Sequence, residues 1–136
     1  MVQQVEFSLP KLERGIHLIS KEIIAQLPEL PETGLVHIFV KHTSAAISIN
    51  ENADPSVRTD LHTSLENMVP ENQSHFTHLD EGPDDMPSHI KLALVGNEIT
   101  VPITNGKLNL GVWQGFYFYE FRNNPGARKL VLTVMS

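Results

Sequence analysis

An alternation of apolar and polar residues with a period of two constrains the fold of this chain most strongly. Within GLVHIFVKH (residues 34–42), Val36, Ile38, Val40 and His42 share one side of an extended chain, and the intervening residues occupy the other. This pattern is typical of a β-strand that buries one face against a core. The chain is therefore expected to build a sheet.

Further segments show strand patterns and end at turn-forming residues. They are residues 2–9, 46–50, 97–103, 113–122 and 127–135. Pro102 lies inside the third of these segments and predicts an edge strand or a bulge, because proline cannot donate to a sheet ladder. The turn-rich sequence NNPG between the last two segments predicts a hairpin.

Two or three helices are expected beside these strands. One spans residues 20–27 behind a possible Ser20 cap. A second follows Asp54, which is a suitable N-cap, and Pro55 suits its first turn. A shorter one opens at Asp85. At 136 residues, the chain is expected to form one α+β domain spanning residues 1–136, with a mostly antiparallel sheet and helices packed beside it.

Charge and composition exclude several classes of function. Ten Lys and Arg against sixteen Asp and Glu give a net charge of -6, which does not suit binding to nucleic acid. The absence of cysteine excludes disulfides and thiol catalysis. The opening MVQQVEFSL has no signal-peptide pattern, and no apolar run is long enough to span a bilayer. A cytoplasmic protein without membrane contact is expected.

The stretch HLDEGPDDMPSHIK (residues 78–91) indicates a metal site. His78 and His89 flank its carboxylates, and His42 ends the inward-facing row of its strand. If the loop folds back, the three imidazoles converge as in catalytic divalent-metal sites. Asp85 for His89 and Asp80 for His78 would then orient the rings. The alternative is a solvated acidic loop with an aspartate helix cap, since no compact metal-binding spacing is present.

A second group of residues suggests an anion site. Ser44 follows the strand end, and it could donate to a phosphate or act as a nucleophile beside His42. Asn52 precedes a helix N-terminus and Arg58 lies one turn inside it, so a phosphate is predicted near these three side chains. A tight turn at Ser44 and a plain helix cap with an exposed arginine are the alternatives.

A third group lies in GKLNLGVWQG (residues 106–115) and the strand after it. Gln114 offers both a donor and an acceptor. Glu120 alternates with Phe116 and Phe118, so it is paired, hydrogen-bonded, or raised in pKa for acid/base chemistry. As a pure pattern, the segment is a hairpin with one salt-bridged glutamate.

These motifs together resemble the YjbQ-like family. HTSAA…NEN.DP..R.D, H..EG.DDMPSHIK and G.L.LG.WQG…E occur in the family's order over essentially the whole chain. The resemblance implies a β-sandwich assembled as a homotrimer, with sites near the subunit contacts. The family's motif histidines correspond to His42, His78 and His89, and its acidic and amide positions to Asn50, Glu51, Asn52, Asp54, Asp60, Asp85, Gln114 and Glu120. Where the family usually has GTWQ, this chain has Val112 in place of the threonine.

The family resemblance also implies a function. Secondary thiamine-phosphate synthases of this type join a pyrimidine diphosphate to a thiazole phosphate and release pyrophosphate. The expectation is thus a transferase, or an enzyme acting on another small phosphorylated metabolite, with a divalent ion (zinc-like in preference to magnesium) on the three histidines. Asp85 and Glu120 are its expected catalytic residues, and the phosphorylated ligand is assigned to Ser44, Asn52, Arg58 and Gln114. A metal-dependent hydrolase and a non-enzymatic trimeric metal- or metabolite-binding protein are the alternatives.

A closed oligomer is also expected from the residues alone. Phe116, Tyr117, Phe118, Tyr119 and Phe121 place aromatic rings on both faces of one strand. A sheet buried on one face needs fewer, so a partner subunit is predicted to cover the second face, most simply in a trimer.

Overall fold

A computed structural model describes all residues 1–136, which form eight strands and three helices. In chain order the elements are β1 (Val2–Leu9), β2 (Gly15–Leu18), α1 (Ser20–Gln26), β3 (Thr33–Val40), β4 (Ala45–Glu51), α2 (Pro55–Met68), α3 (Asp85–Val95), β5 (Glu98–Thr104), β6 (Lys107–Leu108), β7 (Gln114–Glu120) and β8 (Arg128–Met135). The strands form a five-stranded sheet in the order β1-β8-β3-β5-β6 and a three-stranded sheet in the order β2-β7-β4. Every strand pairing is antiparallel.

The main core lies between the two sheets. Val36, Ile38 and Val40 of β3 are fully buried, as the alternation predicted, and they belong to one cluster with Phe116 and Phe118 of β7. His42 lies beyond the end of β3. The α+β class and the antiparallel sheets are thus confirmed, while β2 and β6 were not predicted because they are only four and two residues long.

The second face of the three-stranded sheet is covered by helices of the same chain. Tyr117, Tyr119 and Phe121 form a second cluster with Leu65 of α2, and Leu92 of α3 packs against it. The argument for an oligomer from aromatic rings on both faces of β7 is therefore wrong. The chain buries both faces by itself.

The three predicted helix starts are confirmed, whereas the proposed Ser20 cap is not. The Asp54 side chain accepts a hydrogen bond from the Ser56 N–H at 2.9 Å, and Pro55 is the first residue of α2. Helix α3 begins at Asp85. Ser20 does not cap α1, because its hydroxyl accepts a hydrogen bond from the Phe116 N–H at 3.0 Å and so attaches α1 to β7.

Pro102 is accommodated as its chemistry requires. It lies in β5, which pairs along its length with β3 and on the other side only with the two-residue β6. Most of that other side is therefore an open edge, where the missing N–H leaves no ladder bond unmade. None of the three helices has the length and apolar character needed to cross a membrane.

Candidate metal centre

His78, Asp85 and His89 come together at the start of α3. Asp85 is the first residue of the helix and His89 follows four residues later, so both project from one helix face. The preceding loop brings His78 to the same point. The Asp85 Oδ2 atom lies 2.6 Å from His78 Nε2 and 3.0 Å from His89 Nε2. One potential ligand atom from each residue lies within 4.8 Å of the others.

The Asp85 carboxylate is buried and held from its far side by an arginine. Its Oδ1 accepts a hydrogen bond from Arg122 Nη1, while Arg122 Nε donates to Asp84 Oδ2 at 2.9 Å. Burial acts to raise the pKa of Asp85, but the hydrogen bonds from His78 and His89 and the charge of Arg122 outweigh it. Its pKa is therefore lower than usual for an aspartate. Asp85 is an anion near neutral pH.

A backbone carbonyl orients His89. The Nδ1 atom of His89 lies 2.7 Å from the carbonyl oxygen of Thr43, which can only accept, so Nδ1 carries a hydrogen. The Nε2 atom is thereby directed at Asp85. The sequence predicted that carboxylates orient the rings. Instead a carbonyl from the HTSAA motif orients His89, and Asp85 lies on the side where a metal ligand would lie.

The centre is reachable from solvent on the His78 side. The His78 side chain is 48% exposed, whereas that of Asp85 is 2% exposed. Next to His78 lies a cavity of about 280 Å³. Its walls are formed mainly by apolar side chains, with Asn72, Phe76, Leu79, Gly82, Pro83 and Met86 as the remaining lining residues.

The donor chemistry fits a divalent metal ion of the zinc type. Two imidazole nitrogens and one carboxylate oxygen are a ligand set that zinc commonly takes, and magnesium prefers oxygen alone. The buried negative charge of Asp85 would compensate part of the charge of the ion. His78 contacts Asp85 rather than Asp80, its expected partner.

The structure does not bring His42 into this cluster. Its Nε2 accepts a hydrogen bond from the Lys129 N–H at 2.8 Å, so that lone pair is already used. Burial and the nearby charge of Arg128 lower the pKa of His42, which keeps the ring neutral and able to accept. His42 therefore connects the end of β3 to β8. Its neighbour Thr43, rather than its own ring, contacts His89.

Ser44 and Asn52, predicted to bind one phosphate, lie at opposite ends of β4. Seven strand residues separate them, which corresponds to roughly 25 Å. The Ser44 hydroxyl accepts from Arg128 at 3.0 Å, and the Asn52 amide donates to the carbonyls of Val112 and Gln114. The single phosphate site expected from sequence is not assembled.

Glu120 is fully buried and paired. Its two carboxylate oxygens accept from Arg128 Nε at 2.7 Å and Arg128 Nη2 at 2.5 Å, and the Arg122 N–H donates to one of them at 3.2 Å. Of the interpretations that the sequence pattern allowed for Glu120, the structure shows the salt-bridged glutamate. The pair joins β7 of one sheet to β8 of the other, so it stabilises the fold rather than reaching a ligand.

Gln114 and Arg58 have local roles. The Gln114 side-chain carbonyl accepts from the Gly111 N–H at 2.7 Å and closes its own turn. The Arg58 guanidinium lies over the Tyr117 ring, 5.8 Å from its centroid. Neither contacts the cluster around Asp85.

Three contributors to the centre were missed from sequence. Arg122 lies two residues after Glu120, Asp84 lies in the acidic loop before α3, and Thr43 acts through its backbone. A basic residue just beyond a buried strand was a usable signal for Arg122. A backbone carbonyl leaves no signal in sequence.

The fold and the centre define an α+β protein with two facing antiparallel sheets and a histidine–aspartate cluster at the start of a helix. A family model described as UPF0047 protein YjbQ-like matches residues 5–136. The chain belongs to this family. It is 43% identical to UPF0047 protein YjbQ of Salmonella typhimurium over 98% of each chain, and 36% identical to UPF0047 protein YugU of Bacillus subtilis over 99% of each.

Solved structures have the same fold. A conserved hypothetical protein from Thermus thermophilus has a TM-score of 0.80 and 34% identity, covering 93% of this chain and 97% of that one. A protein of unknown function from Sulfolobus solfataricus has a TM-score of 0.84 over 98% of this chain and 96% of that one. At 21% identity, the second comparison supports the fold alone.

These relatives correct the functional expectation. They are described as UPF0047 proteins, as conserved hypothetical proteins or as proteins of unknown function, and none of these descriptions assigns a thiamine-phosphate synthase activity. The expectation of a thiamine-phosphate synthase is therefore wrong. A function for this chain therefore has to be argued from the geometry of the centre formed by His78, Asp85 and His89.

Proposed function

We propose that the protein binds a divalent metal ion of the zinc type through His78, Asp85 and His89. The observation that carries the proposal is that two imidazole nitrogens meet one buried carboxylate oxygen, at 2.6 and 3.0 Å. A carboxylate that only forms a structural ion pair needs a single histidine partner. Two rings converging on the same oxygen form a preorganised set of ligands.

The hydrogen-bond pattern of His89 supports this assignment. Without a metal ion, both ring nitrogens of His89 face acceptors, the Thr43 carbonyl and the Asp85 carboxylate, so both must carry hydrogens to satisfy them. An ion bound at Nε2 replaces one of these hydrogens, and the Thr43 contact continues to hold the ring in place. This is the usual arrangement of a metal-ligating histidine, with its second nitrogen bonded to a carbonyl.

The cavity beside His78 supports access by a small molecule. Its walls contain Phe76, Leu79 and Met86, and neither lysine nor arginine lines it. A divalent ion would supply the positive, polarising charge that the cavity itself lacks. A small ligand with an apolar body and one metal-binding group fits these walls better than the phosphorylated metabolite expected from sequence.

The test is calorimetric titration of tag-free, metal-stripped protein with zinc and with magnesium. Zinc is expected to bind stoichiometrically and more tightly than magnesium. Asp85→Asn should weaken zinc binding about 100-fold, because losing even an orienting partner of a ligand costs roughly 10- to 100-fold. Asp84→Asn is the matched control: Asp84 is also buried and bonded to Arg122 but contacts neither histidine.

Two results would contradict the proposal. One is zinc affinity that is equal in wild type and Asp85→Asn, with both variants folded. The other is an equal loss in Asp84→Asn and Asp85→Asn, which would assign both aspartates to holding Arg122.

We also propose that the homotrimer implied by the resemblance uses the outer face of the five-stranded sheet. No element of the chain covers this face. Leu35 and Met135, which are neighbours in register, are 42% and 40% exposed there, and Phe39 lies beside Val131. Three copies could bury these side chains together.

Light scattering during size exclusion tests this assembly. Leu35→Lys should convert trimer to monomer, whereas Leu94→Lys should not, because Leu94 is also exposed but lies on α3. A wild-type chain that is monomeric at micromolar concentration would exclude the trimer.

A further inference from the structure

A second cavity lies apart from the metal centre, between β2, the start of α1 and α2. Its volume is about 350 Å³, within the range typical of small-molecule sites. One wall is apolar, and the polar side chains at the cavity are His17, Glu22 and Arg58. The apolar wall consists of Leu9, Pro10, Leu12, Ile16, Leu18 and Ile19.

Arg58, which lines this cavity, has an unmet hydrogen bond. Its Nη1 is the only buried side-chain nitrogen or oxygen of the chain that lacks a partner. A guanidinium stays charged at any physiological pH and accepts no hydrogen bonds, so only an acceptor can satisfy this nitrogen. Buried polar groups are nearly always bonded, which makes a missing acceptor informative.

The other arginines show how unusual this is. The chain has four, and Arg14, Arg122 and Arg128 each form a salt bridge to a carboxylate. Arg58 forms none, although Glu22 lines the same cavity. Its guanidinium instead packs over the Tyr117 ring. The arginine is thus held in place by an aromatic face and carries one buried nitrogen without a partner.

We propose that this cavity binds a small organic carboxylate, with the carboxylate at Arg58 and the hydrocarbon part on the apolar wall. A planar carboxylate matches the fork of a guanidinium and accepts more than one of its N–H groups. An apolar body of a few carbons would cover the leucine and isoleucine side chains of the wall. Inorganic phosphate would satisfy the arginine but leave the apolar wall exposed to water, so it should bind more weakly than the carboxylate.

The test is NMR titration of the full chain with hexanoate and with hexanamide, its neutral isostere. Hexanoate should shift resonances of residues at the cavity in a saturable way, and hexanamide should bind about tenfold more weakly because it lacks the charge. Arg58→Gln should weaken hexanoate binding about tenfold or more. Lys21 is an exposed cation next to Glu22 that does not line the cavity, so Lys21→Gln should leave the affinity for hexanoate within about twofold of wild type.

A further variant tests whether the carboxylate of the ligand lies at the charged end of the cavity. Glu22→Gln removes the like charge there and should tighten hexanoate binding while leaving hexanamide unchanged, because only the anion is repelled by Glu22. If Arg58→Gln does not fold, the wild-type comparison of the two ligands and the Glu22→Gln variant decide the question. The proposal is overturned if hexanoate and hexanamide bind equally, or if neither shifts these resonances at millimolar concentration.

Discussion

Asp85 and Glu120 are both buried carboxylates next to an arginine, yet their surroundings differ. Glu120 is buried at the end of β7, and Arg128 of β8 donates a hydrogen bond to each of its two carboxylate oxygens. Asp85 gives one oxygen to Arg122 and shares the other between two imidazoles, one of which is 48% exposed. The partners of Glu120 are permanently charged or backbone groups. Those of Asp85 include two rings that can lose a proton and bind something else.

The comparison shows what distinguishes a stabilising ion pair from a binding site in this molecule. Burial and a charged partner are common to both carboxylates, so neither property identifies the site. The difference is that the Asp85 cluster contains exchangeable donors and an opening to solvent. Substitutions at the partners of each carboxylate therefore separate a stabilising ion pair from a binding site.

Arg128→Met should destabilise the fold by about 3–5 kcal/mol, because it leaves Glu120 buried without its partner. Urea unfolding at neutral pH measures the change. Lys129→Met, at the exposed neighbouring position, should change stability by about 0.5 kcal/mol or less. Comparable losses in both variants would show that the Glu120–Arg128 pair is not the stabilising feature assigned here.

His89→Ala and His78→Ala should each lower zinc affinity by at least about 100-fold, since each removes a ligand and loss of an orienting partner alone costs roughly 10- to 100-fold. Isothermal titration on stripped protein measures this. His37→Ala is the control, because His37 pairs with Glu98 on the outer sheet face, away from the centre. An unchanged affinity in both ligand variants would place the metal elsewhere.

Zinc binding should weaken as the pH falls from 7.5 to 5.5, because protons compete with the ion for the two ligand rings. The expected slope is roughly tenfold per pH unit for each displaced proton. Asp85 does not contribute in this window, since its lowered pKa keeps it ionised. Titrations between pH 7.5 and 5.5 measure the slope, and an affinity independent of pH would rule out histidine ligands.

His42→Gln should produce the smallest effects, with zinc affinity changed by less than about twofold because His42 lies outside the cluster. It should also reduce the pH dependence of stability. The folded pKa of His42 is lowered, so its contribution is present above the unfolded pKa of about 6.5 and is lost as the pH falls through the folded value.

Thermal unfolding at pH 7.5 and 5.5 checks this. The wild type should lose more stability on acidification than the variant. The stability of both proteins still depends on pH, because the pKa of His62 is also lowered. A large loss of zinc affinity in His42→Gln would restore His42 as the third ligand.

Local patterns in the sequence determined the parts of this protein that depend on near neighbours. The alternation in β3 predicted its buried row, Asp54 predicted the start of α2, and the four-residue spacing placed Asp85 and His89 on one helix face. The strand predicted between Ser44 and Asn52 implies a separation of roughly 25 Å, which is incompatible with the single phosphate site predicted from the same residues. Backbone periodicity fixes such relations before any long-range contact forms.

Only the tertiary structure decided which distant groups meet. It directed the His42 lone pair to a backbone N–H of β8, placed Arg122 behind Asp85, and covered the second face of β7 with α2 and α3. It also paired Glu120 with Arg128 while Arg58 kept an N–H without a partner. A residue type states what a side chain can bind, but packing of the two sheets and the helices selects the partner. That selection depends on contacts between residues far apart in the chain, which no local pattern encodes.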